Sequence, residues 1–196
     1  MLMTPRQPRR LPTATCAAST CADCALSGRV HCHFRVHDFV SFMAIALPSL
    51  FLAALAIARF RSVFLYAWVA LCVLFFGLVE TRVLCSHCPH YAEPSPLLRC
   101  WANWGAPKLW QNRSGALSGL ERAILYAGFA AVWGSPLPFV LVSFGWQGLL
   151  VYSIATGGFF AVLRWAFCSR CINVHCPMNR VPAVIRERFL LLNPRA

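Results

Sequence analysis

Four stretches of this chain are apolar for long enough to cross a bilayer, and a stretch that crosses must be a helix. Hydrocarbon offers no partner to a backbone N–H or C=O, so open strands and loops are excluded there. A crossing takes about 20 apolar residues. The runs are residues 39–58, 63–79, 123–144 and 146–163. Arg59, Phe60, Arg61 and Ser62 join the first two. The second two turn around Gly134-Ser135-Pro136-Leu137-Pro138, or slightly later near Gly145. Pro136 and Pro138 lack backbone donors, so the third helix is expected to kink or end early. The expected fold is an all-α membrane protein with four transmembrane helices in two hairpins. Residues 38–83 form the first hairpin and 123–167 the second. A Cys/Trp-rich loop covers 84–122, a disordered Cys/His/Arg-rich tail is expected over 1–37, and a Cys-rich tail with a short amphipathic helix over 168–196.

Charge orients these spans. The balance of +12 comes from 18 Lys and Arg against six acids. Such an excess suits nucleic acid, but here the basic residues flank apolar runs, so no nucleic-acid partner is expected and the lipid bilayer is. Arg59 and Arg61 alone occupy the short turns. The other basic residues lie in the amino-terminal tail (Arg6, Arg9, Arg10, Arg29, Arg35), the central loop and the carboxy-terminal segment. Basic loops stay inside, which predicts a multi-pass protein of the cytoplasmic (inner) membrane with both termini cytoplasmic.

One short phrase occurs twice, each time where an apolar run ends. It reads Leu84-Cys85-Ser86-His87-Cys88, then Phe167-Cys168-Ser169-Arg170-Cys171. A hairpin followed by Cys-Ser-x-Cys, repeated, reads as a parallel internal duplication. Helix count and charge then put both phrases on one face. A third cysteine follows each, Cys100 and Cys176, and His90 and His175 lie nearby. A Cys-x2-Cys pair turns two sulfurs toward one ion, and thiolates select zinc or iron–sulfur iron. The candidate metal ligands are therefore Cys85, Cys88, Cys100, Cys168, Cys171, Cys176, His90 and His175. The cofactor expected is an iron–sulfur cluster or zinc.

The expected function is electron transfer, as a carrier or as the membrane partner of an oxidoreductase, which implies a redox partner protein. Handling or transport of soft metals ranks below it, because the spans hold almost no polar groups at mid-membrane. In helix count and in a Cys-x-x-Cys pair the chain also resembles the four-helix quinone-linked thiol oxidases. Their reactive cysteines lie on the face opposite to the one assigned here, so a dithiol oxidoreductase ranks third.

Other features have plainer readings. Glu80, the one acid inside a span, reads as a functional candidate, as a partner of Arg82 or as a snorkelled acid near the interface. Trp101, Trp104 and Trp110 read as headgroup anchors, or as a cover for a cofactor. Ser118 and Glu121 match a capping box. Val181, Val184, Ile185, Phe189 and Leu192 recur at helical spacing, as in a short amphipathic helix on the leaflet or on the domain itself. The first tail carries Cys16, Cys21, Cys24 and Cys32 with His31, His33 and His37. Its Cys-x4-Cys-x2-Cys spacing resembles plant-type ferredoxins, although 37 residues are too few for that fold. A loose metal site or an unselected tail fits it equally well.

Reporter fusions test the orientation. Fusions at Leu117 and at Ala196 should both report the cytoplasm, and export of either would overturn it.

Overall fold

The longest apolar runs make the longest helices in the computed structural model, which describes residues 11–196. Arg6, Arg9 and Arg10 of the charge count lie outside the described residues. Helix α1 spans Val36–Phe60 and α2 spans Ser62–Leu74, with only the extended Arg61 between them. Helix α2 runs on through a π-helical turn, Phe75–Val79, into the single turn α3, Glu80–Val83. Helix α4 spans Gly119–Gly134 and α5 spans Leu137–Val162, followed by a second π-helical turn, Leu163–Phe167. Helix α6, Ala183–Leu192, closes the chain.

Among the described residues, three continuous helical stretches are long and apolar enough to cross a membrane: Val36–Phe60, Ser62–His87 and Leu137–Arg170. The expected third run, 123–144, is divided. Its first part is α4, whose 16 residues reach about 24 Å at 1.5 Å each. Its remainder is the first two turns of α5. The break falls at Ser135-Pro136, where proline supplies no N–H. A sharper break follows at Gly145, whose φ of 66° and ψ of −164° lie outside the helical region. Glycine tolerates that positive φ, which other residues rarely adopt.

The division leaves carbonyls at the end of α4 without amide donors, and side chains replace them. Proline at 136 strands the carbonyl of Val132, four residues back. The Nε1–H of Trp68 donates to it at 3.0 Å. The Tyr152 hydroxyl donates to the carbonyl of Trp133 at 2.8 Å. The Trp133 indole in turn donates to Ser49 Oγ at 3.2 Å. Four helical segments are thus joined by polar bonds in an apolar interior, where an unpaired backbone group is costly.

The most extensive helix pair is α1 with α5, across the expected hairpins rather than within one. Ala46, Ser49, Ala53 and Ala56 are buried at three- and four-residue spacing along α1. Small residues in such a stripe let two backbones approach closely. Aromatic rings fill the space beside it: Trp133 stacks on Phe159 at 5.3 Å, and Phe42 meets Phe159 at 6.0 Å. The outward faces carry Phe51, Val69, Val73, Val142, Leu150 and Ile154, all exposed, as expected of a lipid-facing surface. Trp146 and Trp165 are exposed near opposite ends of this last span. At helical rise they are about 28 Å apart, close to the thickness of the hydrocarbon core.

The loop corrects the all-helical expectation. Strands β1, Leu97–Cys100, and β2, Asn103–Pro107, pair antiparallel around the turn at Trp101 and Ala102. Both strands are short, and neither alternates in the way that reveals a strand in sequence. Residues 11–35 form no helix or strand, yet they are held by the opposite end of the chain. Ala17 N–H donates to Leu192 O, and Thr15 Oγ1 donates to Asn193 Oδ1, at 2.8 and 2.9 Å. Helix α6 rests on the domain, with Phe189 buried against Leu26, Val30, Ile172 and Val181. Ser118 and Glu121 form the expected capping box.

Trp68→Phe keeps an aromatic side chain and removes the donor to Val132. Unfolding in detergent should show a loss of about 1–3 kcal/mol, the cost of a stranded buried acceptor. Trp146→Phe, at an exposed position, should change little.

Candidate thiol site

The two Cys-Ser-x-Cys phrases repeat in conformation as well as in sequence. Each follows a π-helical turn and folds into a 3₁₀ turn, Cys85–His87 in one case and Cys168–Arg170 in the other. Widened helical turns of this kind gather at functional sites. Each turn ends the helix and turns its second cysteine back into the protein.

All six predicted cysteines line one cavity of about 350 Å³: Cys85, Cys88, Cys100, Cys168, Cys171 and Cys176. Three separate segments supply them. The first phrase gives two, the end of β1 gives Cys100, and the second cluster gives Cys168, Cys171 and Cys176. His90 and Glu80 line the same cavity. The space continues between the helices, where Phe42, Leu50, Phe76, Phe129, Trp133 and Phe159 bound it. The site is therefore a thiol-rich mouth over an aromatic interior.

Hydrogen bonds from side chains and backbone hold the cysteine loops together. Asn173 Nδ2 donates to Leu84 O at 3.2 Å and so joins the second loop to the first. Asn179 Nδ2 donates to the carbonyls of Cys171 and Asn173 at 2.8 and 2.9 Å, and Arg180 N–H donates to Cys168 O at 3.0 Å. On the other side Arg113 clamps the first loop. Its N–H donates to Ser86 O at 2.8 Å, and its guanidinium donates to Arg82 O at 3.0 Å and to Glu121 at 2.6 Å. Burial raises the Glu121 carboxyl, but hydrogen bonds from Ser118 and Arg113 outweigh it and hold the group at about 2. Glu121 is thus a fixed anion that anchors Arg113.

Burial dominates the electrostatics of the thiols. It pushes Cys88 well above its ordinary value, and the neighbouring Cys171 and Cys100 push it further. Cys100 is pushed up to about 12, and Cys171 and Cys176 are raised too, each chiefly by burial. Such thiols stay neutral unless a cation enters, and a ligating cation would stabilise the thiolates it meets. Burial also lowers His90, to about 4. Its imidazole is neutral at pH 7, the form that ligates metal or accepts a proton.

The sequence candidates separate here. Seven of the eight line the cavity, and His175 does not. Burial lowers His175, which sits beside the main chain of Ala196. His87 also points elsewhere, bonded to Gly115 O at 3.0 Å and 3.6 Å from Glu121. Glu80 makes no ion pair among the described residues. Arg82 approaches Glu121 at 3.9 Å instead, so the expected Glu80–Arg82 pairing is replaced by a cavity-lining acid. The tryptophans divide as well. Trp101 lines the cavity and packs on Phe167 and Phe42 at 5.0 and 5.3 Å. Trp104 is exposed against Phe34 and Phe39, and Trp110 bonds to Thr81 from the periphery. Asn173 and Asn179 were not singled out in the sequence. Lone asparagines near a cysteine carry no signal until their carbonyl partners are known.

Among the described residues no group of three or more His, Cys, Asp or Glu side chains is gathered closely enough to hold a single ion. In comparison with known proteins, no family model matches the chain, and no curated protein or solved structure is significantly similar to it.

Asn173→Ala removes the direct bond between the two loops. Maleimide labelling of Cys85 and Cys171 in chelator-treated protein should accelerate roughly tenfold, as expected for a lost buried hydrogen bond of about 1–1.5 kcal/mol. Unchanged labelling would show that Asn179 and Arg180 suffice.

Proposed function

We propose that this protein is a membrane electron-transfer component that carries an iron–sulfur cluster at the thiol mouth. The observation that supports it is the meeting of six cysteines from three segments in one cofactor-sized cavity. A single zinc ion takes four close ligands and needs no cavity. A space of about 350 Å³ is instead that of a multi-atom group. Cysteine thiolates are the usual ligands of iron–sulfur iron, four to a cluster. On this reading the two Cys-x2-Cys pairs, Cys85/Cys88 and Cys168/Cys171, hold the cluster. Cys100, Cys176 and His90 complete its surroundings, and a soluble redox protein docks at the same face.

The topology belongs to this reading. Four helical passes form two hairpins, the third made of α4 with the first turns of α5 and ended by Gly145. Tyr152 bonds to Trp133 and Phe129 meets Phe160 at 6.2 Å, as in an antiparallel pair about that glycine. Ser143 Oγ donates to Ala56 O at 2.9 Å, so this turn lies beside the one at Arg61. The thiol mouth is then at the other membrane face, the cytoplasmic one by the distribution of Lys and Arg.

Anaerobic purification tests the reading. The protein should contain iron and acid-labile sulfide, with a visible absorption bleached by reductant. Cys85→Ser and Cys168→Ser should each abolish most of that signal from the mouth, because a lost ligand removes part of the binding free energy that orders the loops. Cys72→Ser should keep it. Unchanged iron in the first two variants, or zinc without sulfide in the parent protein, would overturn the assignment.

A further inference from the structure

The amino-terminal segment holds a pair of thiols that the cavity does not use. The N–H of Cys24 donates to Cys21 O at 3.4 Å and closes a turn over Ala22 and Asp23. A turn of this kind brings its first and fourth α-carbons within about 7 Å. A disulfide joins residues whose α-carbons are about 4.4–6.8 Å apart, so the turn presets the separation that the bond needs. Ala22 and Asp23 are exposed and both cysteines are half-buried, which puts the pair at the surface. His33 meets it from the other arm of the segment. Its Nε2 lies 3.6 Å from the Cys21 sulfur, although the two residues are 12 apart in sequence. Gly28, with a φ of 75°, reverses the chain between them. Leu26 and Val30 flank that reversal and are buried in one cluster with Ile172 and Phe189. Backbone bonds of 2.8 and 2.7 Å tie Ala17 to Leu192 and His31 to Arg170. The contact of Cys21 with His33 is therefore built by the fold of the segment.

We propose that Cys21 and Cys24 form a redox-active dithiol that exchanges with disulfides, with Cys21 as the nucleophile and His33 as the base beside it. The thiolate is the attacking species, and a neighbouring imidazole that takes up the proton favours it. Cys24 packs on the buried cluster, which makes it the resolving thiol. In the first step the Cys21 thiolate attacks one sulfur of the disulfide. A new S–S bond forms, the old one breaks, and the released thiolate takes the proton held by His33. In the second step the Cys24 sulfur attacks that of Cys21 in the mixed disulfide, and the second thiol leaves with the Cys24 proton. Two electrons and two protons pass from the cysteine pair to the co-substrate, and the pair ends as an intramolecular disulfide. Cys32 stands apart from this chemistry. Burial, and then Cys24, Cys21 and Cys16 in turn, push its thiol up to about 12, so it stays protonated at neutral pH. The pair needs one turn and one histidine, and no ion. It stands without the reading given for the mouth, although the cluster on which Cys24 packs includes Cys88.

Thiol trapping on the full chain in detergent tests this. The protein is equilibrated in mixtures of reduced and oxidised glutathione, quenched with acid and alkylated, and its peptides are mapped by mass spectrometry. A Cys21–Cys24 disulfide should form in the parent, a measurement that needs no substitution and decides the pairing by itself. Cys24→Ser should stop at a glutathione adduct on Cys21. His33→Gln should slow alkylation of Cys21 at pH 7 about tenfold, as for one lost hydrogen bond to a charged group, and leave that of Cys16 unchanged. Cys85→Ser and Cys168→Ser, which remove the mouth, should leave the tail couple intact. A disulfide from Cys21 to Cys32, or no oxidation of the pair at any glutathione ratio, would overturn the proposal. Equal alkylation of Cys21 with and without His33 would overturn the role of the histidine, and loss of the tail disulfide in Cys85→Ser would overturn the independence of the pair.

Discussion

A backbone carbonyl in an apolar interior must have a donor, and this demand organises the helical half of the molecule. Pro136 creates the problem by leaving Val132 without its amide partner. Trp68 answers it from α2, Tyr152 of α5 donates to the next carbonyl, that of Trp133, and the Trp133 indole reaches Ser49 on α1. A break in one helix thereby fixes the positions of the others. The same network sets Trp133 and Phe159 against each other, and their stacked rings form part of the floor of the cavity.

Above that floor the helices end rather than continue, and the endings carry the chemistry. Two π-helical turns widen the ends of α2 and α5 ahead of their cysteines, directly before Cys168 and with the single turn α3 intervening before Cys85. Asn173 spans the loops, and Arg113 with Glu121 holds the first loop to the start of α4. The Arg113 clamp rests on an anion kept ionised by the capping box itself. A local signal for helix initiation therefore also positions the thiol site.

Burying neutral thiols costs little, but burying thiolates costs a great deal without a compensating cation. That asymmetry gives the mouth its character. It can stay closed and uncharged, or it can exchange protons for a soft metal.

The sequence alone determined where the apolar helices run, that both Cys-Ser-x-Cys phrases end such runs, that Ser118 and Glu121 cap α4, and that a short helix follows Val181. These are local properties: hydropathy, capping chemistry and periodicity act over a few turns of chain. The tertiary structure decided the rest. It split the third run at Pro136, because the cost of a break depends on which distant side chains replace the lost donors. It folded residues 97–107 into a hairpin that carries Cys100 and Trp101 to the cavity, although strands that short leave no alternation to read. It put His175 and His87 outside the ring and Glu80 inside it, since the direction of a side chain at a helix end depends on the turn that ends the helix. It also turned a tail with no order of its own into an anchored loop, because its partners, Leu192, Asn193 and Arg170, lie at the far end of the chain.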